Sequence, residues 1–240
     1  MLGTRNQLFP SVVVVHLFCI LITFWLLFSV ICVVEGHCLT MIVSSPSLFL
    51  SVRNSLRQFG LSQRDHLSLE ERSIFSQQAC FHVSEYLAQK VSNFSQIIFA
   101  GYWPIRSEID PRPLFDFISS RGGNLALPVV LDDKMMVFRR FSDEKQLELM
   151  HFGIFCPNSE QTVVFPDFIL VPLSAFDRQA HRLGYGAGYY DRVIAHFHNQ
   201  AHPVHLLGFG FSCQEVLSIP ARADDLLVEG IFTEKGFLKS

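Results

Sequence analysis

Phe168-Ile169-Leu170-Val171-Pro172-Leu173 is followed, after the polar turn Asp177-Arg178-Gln179-Ala180-His181, by Arg182-Leu183-Gly184-Tyr185-Gly186-Ala187-Gly188-Tyr189-Tyr190-Asp191-Arg192. The short apolar run reads as a buried strand. Beyond Gly188 the composition turns helical, with Tyr190, Val193, Ile194 and Phe197 on one apolar face. The order strand, glycine-rich loop, helix presents backbone N–H groups and a positive helix end to an anion. The glycines alternate, which fits neither the P-loop nor the dinucleotide pattern. They allow positive φ and a close approach of backbone to ligand. Arg182 can make paired hydrogen bonds to phosphate oxygens. Asp191, at the helix start, is an oxygen ligand suited to Mg²⁺. A generic glycine-rich turn ahead of a helix cap has the same glycines, but the flanking Arg182 and Tyr-Tyr-Asp-Arg favour phosphate binding.

The segment from Asp167 to Asp177, paired with Arg182 to Arg192, closely resembles the signature of 5-formyltetrahydrofolate cyclo-ligases, also called 5,10-methenyltetrahydrofolate synthetases. The resemblance extends from about Val52 to the C-terminus. It implies that Arg182, Leu183, Gly184, Tyr185, Gly186, Ala187, Gly188, Tyr189 and Tyr190 bind ATP, with Arg182 and Asp191 catalytic. Spacing alone stops at a phosphate-binding α/β domain.

Outward from this motif, strands and helices alternate through most of the chain, which gives an α/β fold with a central, largely parallel sheet. The resemblance implies an open three-layer sandwich. Val52 to Gln63 reads as a helix carrying Arg53 and Arg57 on one face. In the resembled family a Lys and an Arg at this spacing contact the ATP phosphates. Here Arg53 stands in the Lys position, and a guanidinium fork is not a point charge. Arg57 is assigned to both ATP and substrate. Ser68-Leu69-Glu70-Glu71 is a capping box. It precedes a helix whose stripe is Phe75, Ala79, Val83 and Leu87. Ile97 to Tyr102 reads as a strand emptying into a loop with Tyr102, Trp103 and Glu108, where open α/β sheets place ligands. The family's similar segment supplies part of the folate pocket, so Tyr102, Glu108 and Tyr190 are expected to orient the folate. Pro113 to Ser120 reads as a helix. Leu125 to Leu131 and Met135 to Phe141 read as strands joined at 132–134. Lys145 to Met150 reads as a helix turn and Phe152 to Pro157 as a loop holding a packed thiol, Cys156.

His196, His198, His202 and His205 crowd one segment, but their spacing matches no zinc pattern, and the segment reads as a helix end followed by a solvated, Pro-containing loop. Asp224-Asp225-Leu226-Leu227-Val228-Glu229 is similar to a family segment with two Mg²⁺-associated acids. Asp225 matches the first, and Glu229 replaces the second. Asp191 and Asp225 are therefore the expected Mg²⁺ ligands.

Val12 to Val34 is almost wholly apolar, broken only by His16, Thr23 and Ser29, and is long enough to span a bilayer as a helix. Residues 1–43 are read either as a membrane anchor or as the product of a start assigned too far upstream, with Met41 an internal alternative. The second reading is preferred, since the resemblance covers none of the segment. Residues 44–51 read as a Ser/Pro linker, and 52–240 as the cyclo-ligase domain.

A formal charge of −3 offers no electrostatic case for nucleic acid. The six cysteines, at 19, 32, 38, 80, 156 and 213, form no C-x-x-C and no regular framework, as expected of thiols in a reducing compartment. The resemblance thus implies a cytoplasmic, ATP- and Mg²⁺-dependent ligase acting on a reduced folate, with membrane contact only if residues 12–34 are an anchor. The competing readings are a membrane-anchored nucleotide-binding module and another small-molecule phosphotransferase.

Overall fold

A computed structural model describes residues 46–131, 135–150, 153–222 and 225–239, together with the backbone of 30–34 and 37–41. The chain divides into two units, Met1–Ser51 and Val52–Ser240. In the first, β1 (Val30–Val34) and β2 (His37–Met41) pair as an antiparallel hairpin. β1 lies in the apolar run expected to be helical. Its sequence, Val-Ile-Cys-Val-Val, is dominated by β-branched residues, which are stiff at χ1 and favour strands. Residues 12–29 of that run are outside the described residues. Among the described residues no helix is long and apolar enough to cross a membrane. The expected linker also differs, because from Pro46 onward it forms the first turns of α1 (Pro46–Asp65). Proline suits a first helical turn, where its missing N–H is not used, and Leu48 and Leu50 are good helix formers.

The second unit is built on β3 (Ile98–Ala100), β4 (Asn124–Val130), β5 (Met136–Phe141), β6 (Leu147–Leu149), β7 (Phe155–Pro157), β8 (Val163–Val164) and β9 (Phe168–Pro172). It continues with β10 (Ala175–Phe176), β11 (Arg182–Leu183), β12 (His205–Phe209), β13 (Gly230–Thr233) and β14 (Gly236–Lys239). Eight of these strands form one sheet in the order β14-β13-β12-β9-β3-β4-β5-β8. The five central strands, β13 to β4, are parallel; β14 and β5 run antiparallel to them, and β8 pairs antiparallel with β5.

β9 shows why the motif strand is apolar without interruption. Phe168 and Leu170 enter one core, Ile169 and Val171 the other. A parallel strand covered on both faces needs apolar residues at every position, not at alternate ones. The first core is closed by α2 (Leu69–Lys90), through Ala79, Val83 and Leu87, and by α3 (Arg112–Ser120), through Leu114 and Ile118. The second is closed by α4 (Tyr189–Asn199), through Val193, Ile194 and Phe197. These three layers are the expected α/β/α sandwich. The capping box forms as read, with Ser68 Oγ accepting from Glu71 N–H at 3.1 Å and Glu71 accepting from Ser68 N–H at 2.8 Å.

Two local expectations are corrected. Lys145 to Met150 is not a helix turn; only Glu144–Gln146 is a 3-10 turn, after which β6 pairs with β7. The polar turn after β9 proves to be the tip of a hairpin between β10 and β11. It folds around Asp177, which is fully buried. One carboxylate oxygen accepts from the N–H groups of Gln179 and His181 at 3.0 and 3.1 Å, and the other accepts from Ile219 N–H at 2.8 Å. Gln214 donates to the carbonyls of Leu173 and Ser174 at 3.0 and 2.9 Å. The segments leaving β9 and β12 are thereby fixed to each other.

Asp177→Ala strips three N–H donors of their acceptor, two of them partly buried and that of Ile219 fully so. It should lower unfolding free energy by more than about 2 kcal/mol, since each unsatisfied donor costs about 1–3 kcal/mol. Asp177→Asn should lose less. Urea denaturation of the two variants checks the order.

Candidate active site

In the parallel part of the sheet the chain enters at β3, moves to β4 on one side, then crosses to β9, β12 and β13 on the other. The loops following β3 and β9 consequently leave adjacent strands in opposite directions. Such a switch point opens a crevice at the C-terminal ends of the strands. The loop after β3 carries Tyr102 and Glu108, and the chain after β9 carries the hairpin and the glycine loop.

α1 lies against this point. A Cβ on Gly60 would fall 2.1 Å from the carbonyl oxygen of Ser174, so only glycine lets the helix sit this close to the β9 exit. Arg57 Nε donates to the carbonyl of Gly184 at 2.9 Å, and its Nη1 donates to Asn54 Oδ1 at 2.7 Å. Gly186 and Gly188 take φ of 102° and 71°, left-handed values that fit glycine. Gly188 is the N-cap of α4. Arg182, buried on β11, donates through Nη2 to Asp191 Oδ1 at 2.8 Å. Its Nε is also buried and has no hydrogen-bond partner among the described residues. Buried donors are seldom left in that state, and this one leaves a hydrogen-bonding capacity in a site read as anion-binding. Burial and the neighbouring Arg53 guanidinium lower the pKa of Arg57, and Asp225 and Asp191 oppose the shift. Burial likewise lowers that of Arg182 against the charge of Asp191. Arginine remains protonated in either case. The result is a knot of guanidinium groups that two aspartates only partly neutralise, a setting for a polyanion.

Asp225 is held differently from a metal ligand. Arg53 grips it with both ends of its fork, Nη1 on Oδ2 at 2.6 Å and Nη2 on Oδ1 at 2.7 Å. Arg222 N–H donates to Oδ2 at 2.7 Å. Three of roughly four lone-pair sites on the carboxylate are thereby used. Burial would raise its pKa, but the Arg53 and Arg222 contacts outweigh it and hold the carboxyl below its ordinary range. The arginine in place of the family lysine explains this, because a planar fork matches a carboxylate edge and an ammonium does not. Glu229 stands elsewhere, accepting from Tyr86 OH at 2.8 Å and lying 2.5 Å from His205 Nδ1. The nearby His202 contacts the Pro166 carbonyl at 2.9 Å. Among the described residues no three His, Cys, Asp or Glu side chains form a metal site by themselves. Asp224 is outside the described residues.

On the β3 side, Arg106 adopts φ 55°, a left-handed conformation costing about 1–2 kcal/mol in a residue with a Cβ. The turn brings the Glu108 carboxylate back onto Ile105 N–H, which donates to Oε2 at 2.9 Å. Oε1 accepts from Tyr185 OH at 2.6 Å. Arg64, buried at the end of α1, donates to Tyr185 OH at 2.5 Å and to Ser107 Oγ at 3.0 Å. The Ser107 hydroxyl in turn donates to Asp65. Burial pushes the Glu108 carboxyl above its ordinary pKa, with Tyr185, Ile105 N–H and Arg64 pulling it back in part. Burial, followed by the charge of Glu108, raises Tyr190 as well.

Most of the expected residues therefore converge. Arg57, Arg182, the glycines, Tyr190, Asp191 and Glu108 share the crevice between β3 and β9. Tyr102, expected to orient the folate, is buried in the first core, and its hydroxyl donates to the Ile109 carbonyl at 3.0 Å. Leu183 is likewise packed inside, against Ala175, Val216 and Ile219. Arg192, next to the expected ligands, donates to the Ala187 carbonyl at 2.9 Å and lies over the Tyr189 ring. Sequence reasoning misses Arg64 and Ser107 as parts of the site. The signal for Arg64 is its position, one helical turn beyond Gly60 on the face that carries Arg53 and Arg57.

A doubly covered parallel sheet with an arginine-rich glycine loop and a tethered carboxylate at its switch point is the frame of an α/β enzyme for a small anionic substrate. Residues 50–234 match the 5-formyltetrahydrofolate cyclo-ligase family, and the chain belongs to that family. The 5-formyltetrahydrofolate cyclo-ligase of Escherichia coli K12 is 28% identical over 182 residues, covering 71% of this chain and 94% of the relative. That of Haemophilus influenzae is 30% identical over 134 residues, covering 53% and 70%. The solved structure of Aquifex aeolicus 5,10-methenyltetrahydrofolate synthetase superposes with a TM-score of 0.62 at 31% identity, over 78% of this chain and 92% of that one. A Mycoplasma pneumoniae structure at 24% identity shares the fold, with a TM-score of 0.61. The protein is thus an enzyme of the cyclo-ligase family, and the names of its relatives support cyclo-ligase activity.

The Arg53–Asp225 clamp can be measured by itself. A double-mutant cycle of Arg53→Met and Asp225→Asn in thermal denaturation should return a coupling within the 0.5–3 kcal/mol range of contacting residues, roughly. Additive losses would show that the two side chains act independently.

Proposed function

We propose that residues 52–240 form the catalytic unit and convert 5-formyltetrahydrofolate to 5,10-methenyltetrahydrofolate, consuming ATP with Mg²⁺ and releasing ADP and phosphate. Beside family membership, one observation carries this reading: the glycine loop with its arginines and the Glu108 carboxylate meet at one switch point, so a phosphate and a folate ring can be held side by side. The formyl amide explains why ATP is consumed. Its resonance, reflected in a rotation barrier of about 18–20 kcal/mol for amides, makes the carbon a poor electrophile and the oxygen a poor leaving group. Transfer of the γ-phosphoryl group to the formyl oxygen turns that oxygen into a phosphate leaving group and the carbon into an iminium. N10 of the same folate then forms the new C–N bond and gives up its proton to solvent, and phosphate departs with the C–O electron pair. No protein nucleophile is needed, and the chain positions the reactants and balances charge.

On this reading Arg57, Arg182 and the backbone of Gly184, Gly186 and Gly188 hold the phosphates. Asp191 fits a Mg²⁺ ligand, because its exposed edge stands at the N-terminus of α4 beside the loop, and Mg²⁺ needs only one or two carboxylates beside phosphate oxygens and water. Mg²⁺ there would neutralise charge on the transferring group. Asp225 fits less well, since binding a metal would break the Arg53 clamp, and we assign it to holding Arg53. Glu108 accepts hydrogen bonds from the pterin N–H donors, and Tyr190 lies beside it.

The full chain with 5-formyltetrahydrofolate, ATP and Mg²⁺ should generate the absorbance of the methenyl product, with none when ATP is omitted. Folded protein that gives no product at saturating ATP and Mg²⁺ refutes the assignment. Glu108→Gln should lower kcat/KM for the folate by about 1.5–3 kcal/mol, the worth of a charge-assisted bond, or roughly ten- to 150-fold. ATP affinity should change much less. Because burial raises Glu108, its ionised form is lost at higher pH than for an exposed glutamate. The wild type should therefore lose kcat/KM as pH falls toward that raised pKa. The Glu108→Gln variant should lack this limb, and a limb that persists assigns the titration to another group.

A further inference from the structure

We propose that Tyr185 is a positioning residue that couples the two halves of the site, tying the glycine loop to the folate carboxylate so that nucleotide and folate bind synergistically. The inference rests on the function proposed above and deepens it. Tyr185 sits in the middle of the loop, between Gly184, whose carbonyl Arg57 holds at 2.9 Å, and Gly186, which is left-handed at φ 102°. Its side chain leaves the phosphate side and donates to Glu108 Oε1 at 2.6 Å. Arg64 donates into the same hydroxyl at 2.5 Å and lies over the ring at 5.8 Å. Arg64 is fixed on its own account, buried and bonded to Ser107 one residue before Glu108. Tyr185 thus closes a chain from α1 through the glycine loop to the β3 loop.

Glu108 is held at both oxygens, by Tyr185 OH on one and Ile105 N–H on the other. Each carboxylate oxygen has a second lone pair for a substrate N–H. Tyr185 therefore orients the acceptor rather than replacing it. A loop with two left-handed glycines loses more conformational freedom on ordering than one without. Phosphate binding orders that loop from one end, and folate donors fixing Glu108 order it from the other. Whichever ligand arrives second meets a loop already partly ordered, which is positive coupling without a large movement. The coupling must be equal in both directions.

The test measures dissociation constants of a non-hydrolysable ATP analogue with Mg²⁺, with and without saturating 5-formyltetrahydrofolate, and the reverse. In the wild type each ligand should tighten the other by at least about fivefold, the lower end of ordinary coupling. In Tyr185→Phe, which keeps the ring and removes the hydroxyl, the ratio should fall to near one in both directions. A merely structural role would weaken either ligand alone and leave the ratio intact. Tyr185 is 43% exposed, so the variant should fold, and its melting temperature checks this. A Tyr185→Phe variant that keeps the wild-type ratio overturns the inference, as does a wild type that binds both ligands independently. Failure of the wild type to bind either ligand overturns the functional reading, and this inference with it.

Discussion

The contact between α1 and the exit of β9, where the backbone at Gly60 lies against the Ser174 carbonyl, sets the geometry of everything around it. A helix brought that close lays three arginines along one edge of the crevice. Arg53 reaches the Pro220 carbonyl and Asp225, Arg57 reaches Gly184, and Arg64 reaches Ser107 and Tyr185. These targets belong to different stretches of chain, after β12, β11 and β3. Leu56 of the helix packs against Ala175, Leu183, Val216 and Ile219. Directional bonds from its guanidinium groups add to this packing, and they reward one placement of the helix and penalise a shifted one.

The sheet was legible because its signal is additive along the strand. Phe168 to Leu173 is apolar at every position, a pattern required of a strand covered on both faces, and the capping box before α2 is a local code that needs no tertiary information. The hairpin of β10 and β11 was not legible. Its strands are two residues each, too short to show periodicity, and the feature that makes it is one buried carboxylate gathering N–H groups from positions 179, 181 and 219. The last of these lies forty-two residues away in sequence, and no local pattern announces it.

For the site, residue types and order indicate which groups belong to it but not which way each points. In the sequence Tyr102 and Glu108 read together as pocket residues, six apart on one loop. In the structure the Tyr102 ring is buried in the core with its hydroxyl on the Ile109 carbonyl, while the left-handed turn at Arg106 brings the Glu108 carboxylate onto Ile105 N–H. Arg53 and Asp225, remote in sequence, read as groups for different ligands, and the structure makes them partners of each other. A carboxylate in a motif is evidence that a negative charge is wanted there, while only geometry shows whether a metal or an arginine meets it.

The same logic separates the two aspartates. Asp225 is gripped on both oxygens and is only 18% exposed in its side chain, whereas Asp191 gives one oxygen to Arg182 and its side chain is 45% exposed. A carboxylate locked by a bidentate arginine exchanges that partner for a cation only at the cost of leaving a nearly buried guanidinium without its counter-charge, a loss that buried charges tolerate poorly. Asp191 faces no such penalty, because Arg182 can keep its bond to Oδ1 while the other oxygen meets a second cation. The second cation would still stand beside Arg182 and Arg57, and like charges a few ångströms apart repel strongly where water is partly excluded. Phosphate oxygens between them remove that repulsion. On the proposed function, the electrostatics of the loop would therefore favour metal and nucleotide arriving as one anionic unit over a metal ion binding first.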